Sequence, residues 1–266
     1  MQANIKCLGV IPAHLSSQRL PGKPLADIAG KSLLERVFAQ AKQCELISRL
    51  VVATDHGQIA ECVERFGGEV IMTSASHKTG SDRAAEAATK CESGGQNYEL
   101  VVNVQGDMPF IDPRIITQAI QGLIEAGESC GISTAATAIR SLERFLSPSV
   151  VKAVLSENGE GLYFSRAPLP YSTQNWSQHN PALEPFGYRH IGIYAFRREA
   201  LRRFASLPQT ALENRERLEQ LRALGHGIRI KVSVIPDDIG RSALNVDTPE
   251  ELEYARKAAQ EFEGSS

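Results

Sequence analysis

The chain has 266 residues, a formal net charge of −2, 42% hydrophobic residues and 23% charged residues. That apolar fraction excludes a disordered chain, and no apolar run approaches the ~18 residues of a membrane helix. Glycine (21) and proline (13) occur at ordinary frequency without a triplet repeat, which excludes a fibre, and a near-neutral balance carries no footprint of nucleic-acid binding.

Strand-like and helix-like segments alternate along the first half. Ile5 to Ile11 is short, apolar and ends at Pro12, so it reads as a first strand and not as a secretory signal. Ser32 to Cys44 has helical spacing at Leu33, Leu34, Val37, Phe38 and Ala41. Leu50–Ala53, Val70–Met72 and Leu100–Val104 read as buried strands, with helices expected over Gln58–Phe66, Ala84–Cys91 and Arg114–Ala126. Continuous apolar strands separated by helices imply the α/β class, a doubly wound, mostly parallel sheet.

The pattern changes after Gly131. Ile132–Arg140, Val150–Leu155, Tyr163–Leu169 and His190–Phe196 read as strands with few helices between them, a mixed or antiparallel extension. Pro168–Pro185 reads as a long surface loop, with Trp176 either a lid or interface contact or an exposed ring. Helices are expected over Leu212–Leu224 and Thr248–Glu261, with a strand at Ile228–Ile235 between them. The mixed charges of Glu213–Arg222 read as a solvated helix face, and His56, His179 and His226 as solvated loop residues. We read residues 1–266 as a single domain with about 132–210 inserted, because Asp247 must return to the N-terminal region. Five cysteines (Cys7, Cys44, Cys62, Cys91, Cys130) without a C-x-x-C pair read as free thiols in a reducing cytoplasm.

Three segments carry chemistry. The loop after the first strand, from Pro12 through Gly22 to Leu25, joins small residues to Arg19 and Lys23, which suits a polyphosphate. It is not a Walker A loop: Gly30-Lys31-Ser32 has the right ending, but residue 25 is leucine where that loop needs glycine. After the strand at Leu100–Val104, Asp107 stands behind Gly106, a natural place for a Mg²⁺ ligand. Asp247, in Asn245-Val-Asp-Thr-Pro-Glu250, reads alone as a helix N-cap. Together with Asp107 and the basic loop it makes a phosphoryl- or nucleotidyl-transfer site.

These residues and their surroundings resemble the 3-deoxy-manno-octulosonate cytidylyltransferases (CMP-Kdo synthetases). The resemblance runs through Arg19–Leu25, Val52–Asp55, Phe66–Glu69, His77–Arg83, Val102–Asp107, Tyr163–Pro168, Arg189–Tyr194, Leu218–Arg222 and Val246–Pro249 in order. It implies Mg²⁺-dependent transfer of CMP from CTP to the sugar acid Kdo, for lipopolysaccharide biosynthesis, by a cytoplasmic homodimer. It implies that Arg19 and Lys23 hold the triphosphate, and that Pro12, Ala13, His14, Thr79, Gly80, Ser81, Arg83 and Gln105 line the nucleotide pocket. It makes Asp107 and Asp247 the metal ligands and, with Arg19 and Lys23, the catalytic set. Arg166, His190, Tyr194, Glu219 and Gln220 fall on the sugar-acid side, so the inserted portion is expected to bind sugar and to dimerise.

The chain departs from that family at His14 (commonly arginine), Met108 (commonly glutamate), Ser81 and Asp82 (threonine and glutamate) and Asn245 (glycine). These departures keep two other readings open: a cytidylyltransferase for a variant sugar acid such as amino-Kdo, and a non-catalytic nucleotide-binding homologue.

Overall fold

A computed structural model of the chain describes residues 5–17, 19–93, 95–173 and 179–263. It divides into two units, residues 1–117 with 241–266 and residues 118–240. The insertion expected over 132–210 lies inside the second. Trp176 lies outside the described residues.

The first unit is the doubly wound part. Strand β1 (Cys7–Ala13) leads through a short antiparallel pair, β2 (Asp27–Ile28) and β3 (Lys31–Ser32), into helix α1 (Leu33–Ala41). Strand β4 (Arg49–Thr54), helix α2 (Gly57–Arg65), strand β5 (Glu69–Met72), helix α3 (Gly80–Glu92), strand β6 (Leu100–Asn103) and helix α4 (Pro113–Glu125) follow, and the unit boundary falls within α4. The strands are parallel in the order β6-β1-β4-β5. Cys7, Leu8, Val10 and Ile11 are almost fully buried, as a parallel strand covered on both faces requires. The strand runs two residues further than expected, through Pro12 to Ala13. Pairing with β6 ends at Val10, so beyond it β1 is paired with β4 alone and proline's missing N–H breaks no ladder on that side. The chain moves from β1 to β4 and β5 on one side and reaches β6 on the other. The carboxyl ends of β1 and β6 therefore flank a topological switch point, where ligands of such sheets bind.

Helix α3 begins four residues earlier than its apolar periodicity indicates. The Thr79 hydroxyl accepts from Asp82 N–H (3.2 Å), so Thr-Gly-Ser-Asp is a capped first turn.

The second unit is a mixed sheet. Its elements are β7 (Ile132–Ile139), α5 (Leu142–Leu146), β8 (Lys152–Leu155), β9 (Gly161–Ser165), β10 (Gly187–Arg197), α6 (Arg198–Ser206), α7 (Ala211–Glu216), α8 (Gln220–Gly225), β11 (Ile230–Ile235) and α9 (Asp237–Gly240). Strands run in the order β11-β7-β10-β8-β9, antiparallel except for the β11–β7 pair. The chain then returns to the first unit and ends in α10 (Pro249–Glu263). No helix among the described residues is long and apolar enough to cross a membrane.

The single helix expected over Leu212–Leu224 is two helices. Arg217 adopts a left-handed conformation (φ 56°) between α7 and α8. The cause is a buried ion pair: Glu213 and Arg222 are 3% and 2% exposed, and Arg222 Nη2 donates to Glu213 Oε1 at 2.7 Å. In one continuous helix, residues nine apart lie about 13 Å apart along the axis and on opposite faces. The break lets them meet, so the run is not a solvated face. The three histidines read as solvated also have partners: His56 Nδ1 accepts from Gln58 N–H (3.3 Å), His179 Nε2 lies 2.8 Å from the Glu184 carbonyl, and His226 Nδ1 lies 2.9 Å from the Arg222 carbonyl.

Candidate active site

Past the carboxyl ends of β1, β4 and β6, wholly within the first unit, lies a cleft of about 400 Å³. Two glycines shape it. Gly22 takes φ 70° at the entry to the tight turn Lys23–Leu25, a conformation that favours glycine. At Gly106 a Cβ would lie 2.9 Å from the Pro12 carbonyl, so only glycine lets the Asp107 loop approach β1 this closely.

The turn at Gly22 aims Lys23 inward. Its ammonium donates to Asp107 Oδ2 at 3.0 Å and to Asp247 Oδ1 at 2.9 Å. Arg19 reaches the other Asp247 oxygen at 3.0 Å. Burial disfavours the Lys23 ammonium, but the Asp107 and Asp247 carboxylates outweigh it and hold its pKa above the ordinary value. Burial likewise opposes ionisation of Asp247, but Lys23 and Arg19 prevail and hold its pKa below the ordinary carboxylate value. Asp247 is not the helix cap. Thr248 caps α10, its hydroxyl accepting from Glu251 N–H (3.3 Å) while the Glu251 carboxylate accepts from Thr248 N–H (3.0 Å). That capping box leaves Asp247 free to face Asp107. Val246 N–H donates to the Asp107 carbonyl (2.8 Å) and Asn245 Nδ2 to Asp107 Oδ1 (3.3 Å), which fixes the two loops together.

Two carboxylates converge on one ammonium, an acidic pair able to hold a cation. Hard oxygen donors in that number fit Mg²⁺, which takes one or two carboxylates and completes its shell with substrate phosphates and water. Among the described residues no three His, Cys, Asp or Glu side chains gather as a metal site.

Of the expected nucleotide residues, Pro12, Ala13, His14, Thr79, Gly80, Arg83 and Gln105 line the cleft with Lys23, Asp107 and Asp247. Ser81 does not. It is fully buried and accepts from Asn103 Nδ2 (3.2 Å), so its side chain supports the floor. The Thr79 hydroxyl also accepts from Asp82 N–H as the cap of α3. The Arg83 guanidinium is 4% exposed and held between Thr73 Oγ1 (2.6 Å) and the Asp55 carboxylate (3.1 Å). Met108 is buried and does not line the cleft. Desolvation and the Arg83 charge hold the His14 imidazole below its ordinary pKa, while Nδ1 pairs with Ser16 Oγ (2.9 Å).

Asp55 and His77 also line the cleft and were not singled out from the sequence. Asp55 could have been, because it follows the carboxyl end of β4. His77 carries no such signal: it is held by Glu86 on α3, which also accepts from Ser74 N–H (2.9 Å) and pairs with Lys90 (2.7 Å). Desolvation opposes Glu86 ionisation, but Lys90, Ser74 N–H and His77 take its pKa down to about 2. A depressed carboxylate pKa contributes stability above its unfolded value near 4.5, and that contribution is lost as pH falls towards 2. Urea midpoints at pH 5 and pH 3 should therefore fall less steeply in Glu86→Gln than in the wild type. Equal falls would refute the role.

The residues expected on the sugar-acid side all lie in the second unit. A bulge in β10 sets Ile191 opposite Ala135 but Tyr194 opposite Thr134, so two residues are extra. In a regular strand His190 and Tyr194 would stand about 13 Å apart. Here they face Ala136 and Thr134, two positions apart on β7, and their ring centroids are 5.5 Å apart. Tyr194 Oη donates to Gln220 Oε1 (2.9 Å), and the buried Gln220 Nε2 has no partner among the described residues. Glu219 precedes it at the start of α8. Arg166 is tied to the Glu216 carbonyl through Nε (2.8 Å) and to the Pro148 carbonyl through Nη1 (3.1 Å). Buried Lys152, donating to the Ser147 and Arg166 carbonyls (2.8 and 2.7 Å), braces the same corner.

A switch-point cleft that joins the basic loop of Arg19 and Lys23 to the paired carboxylates of Asp107 and Asp247 fits one class: an α/β nucleotidyltransferase. The comparisons refine it. The chain matches the Cytidylyltransferase family over residues 8–230. It is 42% identical over 257 residues to the 3-deoxy-manno-octulosonate cytidylyltransferase of Trichlorobacter lovleyi, covering 95% of this chain and 98% of that one. It is 45% identical to that of Geobacter sulfurreducens, covering 92% and 95%. The solved structure of CMP:2-keto-3-deoxy-manno-octonic acid synthetase complexed with CTP superposes with a TM-score of 0.85 at 36% identity, covering 97% of this chain and 99% of that one. The chain belongs to the 3-deoxy-manno-octulosonate cytidylyltransferase family.

Proposed function

We propose that this protein transfers CMP from CTP to the anomeric hydroxyl of Kdo, releasing pyrophosphate, and so supplies activated sugar for lipopolysaccharide assembly. The observation that carries the reading is the meeting of Asp107, Asp247, Lys23 and Arg19 at the mouth of a nucleotide-sized cleft. In the reaction the anomeric oxygen bonds to the α-phosphorus and the bond from that phosphorus to pyrophosphate breaks. Arg19 and Lys23 bind the triphosphate and offset its charge. The Pro12–Ala13 turn, the amide groups opening α3, Arg83 and Gln105 hold the nucleoside. Mg²⁺ held by Asp107 and Asp247 would neutralise phosphate charge and assist ionisation of the attacking hydroxyl. Arg166 recognises the sugar carboxylate, a task suited to its planar fork, and His190, Tyr194, Glu219 and Gln220 orient the ring. Residues 132–210 supply the sugar-binding and dimerisation portion of a single functional domain.

The protein acts as a homodimer in the cytoplasm, where its nucleotide substrate is made. Light scattering giving a monomer mass would refute the dimer. Pyrophosphate release with each nucleoside triphosphate, run against Kdo, amino-Kdo and sialic acid, tests the reaction. CTP with Kdo should be fastest. A preference for amino-Kdo would move the assignment to the variant sugar, and no turnover with any sugar acid would overturn the enzyme reading.

His14 gives a further prediction. Its lowered pKa makes it neutral at pH 7, where an arginine would carry a fixed charge. His14→Arg should lower KM for CTP several-fold at pH 8, and the gap should narrow as pH falls far enough below the ordinary imidazole value for the wild-type ring to charge. A pH-independent ratio would refute it.

A further inference from the structure

The bulge in β10 turns two carbonyls towards one hydroxyl of β7. Thr134 Oγ1 lies 2.6 Å from the Ile193 carbonyl and 3.1 Å from the Ile191 carbonyl, and 2.9 Å from His190 Nε2. A hydroxyl has one proton. The carbonyls only accept, so that proton goes to them, and the nearest is Ile193. Were it given to His190 instead, Oγ1 would present bare lone pairs to two carbonyl oxygens at hydrogen-bond distance. Nε2 must therefore be the donor to Oγ1. The ring is neutral, since burial and then the adjacent Arg189 charge push the His190 pKa down to about 3. With its proton on Nε2, its Nδ1 is a bare acceptor, and among the described residues Nδ1 has no partner.

We propose that Thr134 is a positioning residue that locks His190 as the Nε2–H tautomer, so that Nδ1 accepts a hydrogen bond from a hydroxyl of the sugar acid. The inference rests on the sugar-acid reading of His190 given above and adds the chemistry of the contact. A lone-pair acceptor recognises a hydroxyl or ammonium donor and repels a carboxylate, so the acid group of the substrate falls to Arg166 and to donors such as Gln220 Nε2. Phe164, edge-on to the His190 ring at 5.0 Å, and Tyr194, with its ring centroid 5.5 Å away, keep the ring from turning.

The test combines ¹⁵N spectra of histidine-labelled full-length protein with steady-state kinetics, the His190 resonances being assigned from their loss in His190→Gln. The wild type should show a protonated Nε2 and a bare Nδ1. Thr134→Val, which removes only the hydroxyl, should lose that single-tautomer signature. It should also raise KM for the sugar acid about tenfold while KM for CTP stays within about twofold. Thr134→Ser should restore both. A protonated Nδ1 in the wild type overturns the proposal, as does a Thr134→Val protein with unchanged tautomer and unchanged sugar KM. If Thr134→Val does not fold, the wild-type spectrum and Thr134→Ser still decide. Failure of the sugar-acid reading looks different: no sugar acid is turned over, while the tautomer remains as stated.

Discussion

Asp107→Asn should lower kcat for CMP transfer about 10³-fold while leaving the fold intact. The asparagine amide keeps the shape but removes the charge that, with Asp247, would hold a divalent cation against the phosphates, and loss of one such electrostatic stabiliser costs roughly 10²–10³ in rate. Asp247→Asn should fall in the same range. The double variant should be no more than about tenfold worse than either single one, because both carboxylates act through one cation and such effects are far from additive. Pyrophosphate release measures the rates, and urea unfolding checks stability. The Lys23–Asp107 pair is partly exposed, so the change in stability should stay within about 1 kcal/mol. An Asp107→Asn enzyme within tenfold of the wild type would remove Asp107 from the catalytic set.

The second large effect concerns stability. Arg222→Met should destabilise the protein by about 3–5 kcal/mol, since it strands the buried Glu213 carboxylate. Glu213 keeps two partners, the Thr210 N–H of its capping box (3.3 Å) and Gln209 Nε2 (3.2 Å), but neither is charged. The Arg222 side chain also lies over the Phe204 ring at 4.4 Å, a contact methionine only partly replaces. Arg222→Met combined with Glu213→Leu should recover most of the loss, leaving about 1 kcal/mol for the missing cap. Denaturant midpoints at pH 7 give all three values. Because the pair is what breaks the helix at Arg217, the single variant should also raise KM for the sugar acid through Gln220. An Arg222→Met protein within 1 kcal/mol of the wild type would show that the pair does not set this turn.

What could be read from the sequence follows from how local each signal is. Strands β1, β4 and β6 were legible because parallel strands buried on both faces are unbroken apolar runs. Helix α6 was missed because its buried apolar residues, Leu201 and Phe204, stand among four charged residues that hide a narrow stripe. The break at Arg217 was invisible for a different reason: it depends on two side chains nine residues apart meeting in the core, which no local periodicity records. In the site, the residue types of Arg19, Lys23, Asp107 and Asp247 pointed to a shared nucleotidyl-transfer chemistry, and the resemblance named its nucleotide and sugar acid. Thr248 and Glu251 capping α10 form a local Thr-x-x-Glu box that the sequence does carry, whereas Ser81 withdrawn beneath the floor and Thr134 facing the bulge are set by tertiary geometry alone.

The arrangement around Lys23 also bears on how quickly the nucleotide arrives. Arg19 and Lys23 balance Asp107 and Asp247 charge for charge, so the cluster is formally neutral before anything binds. Two bare carboxylates there would repel an incoming triphosphate and slow its capture, and that barrier would weaken with salt. With the lysine seated between them, the approaching polyanion meets no net repulsion. Association of CTP with the wild type should therefore vary little with ionic strength, whereas Lys23→Met, which strips Asp107 of its cation and leaves Asp247 with Arg19 alone, should associate slowly in dilute buffer and faster as salt is added.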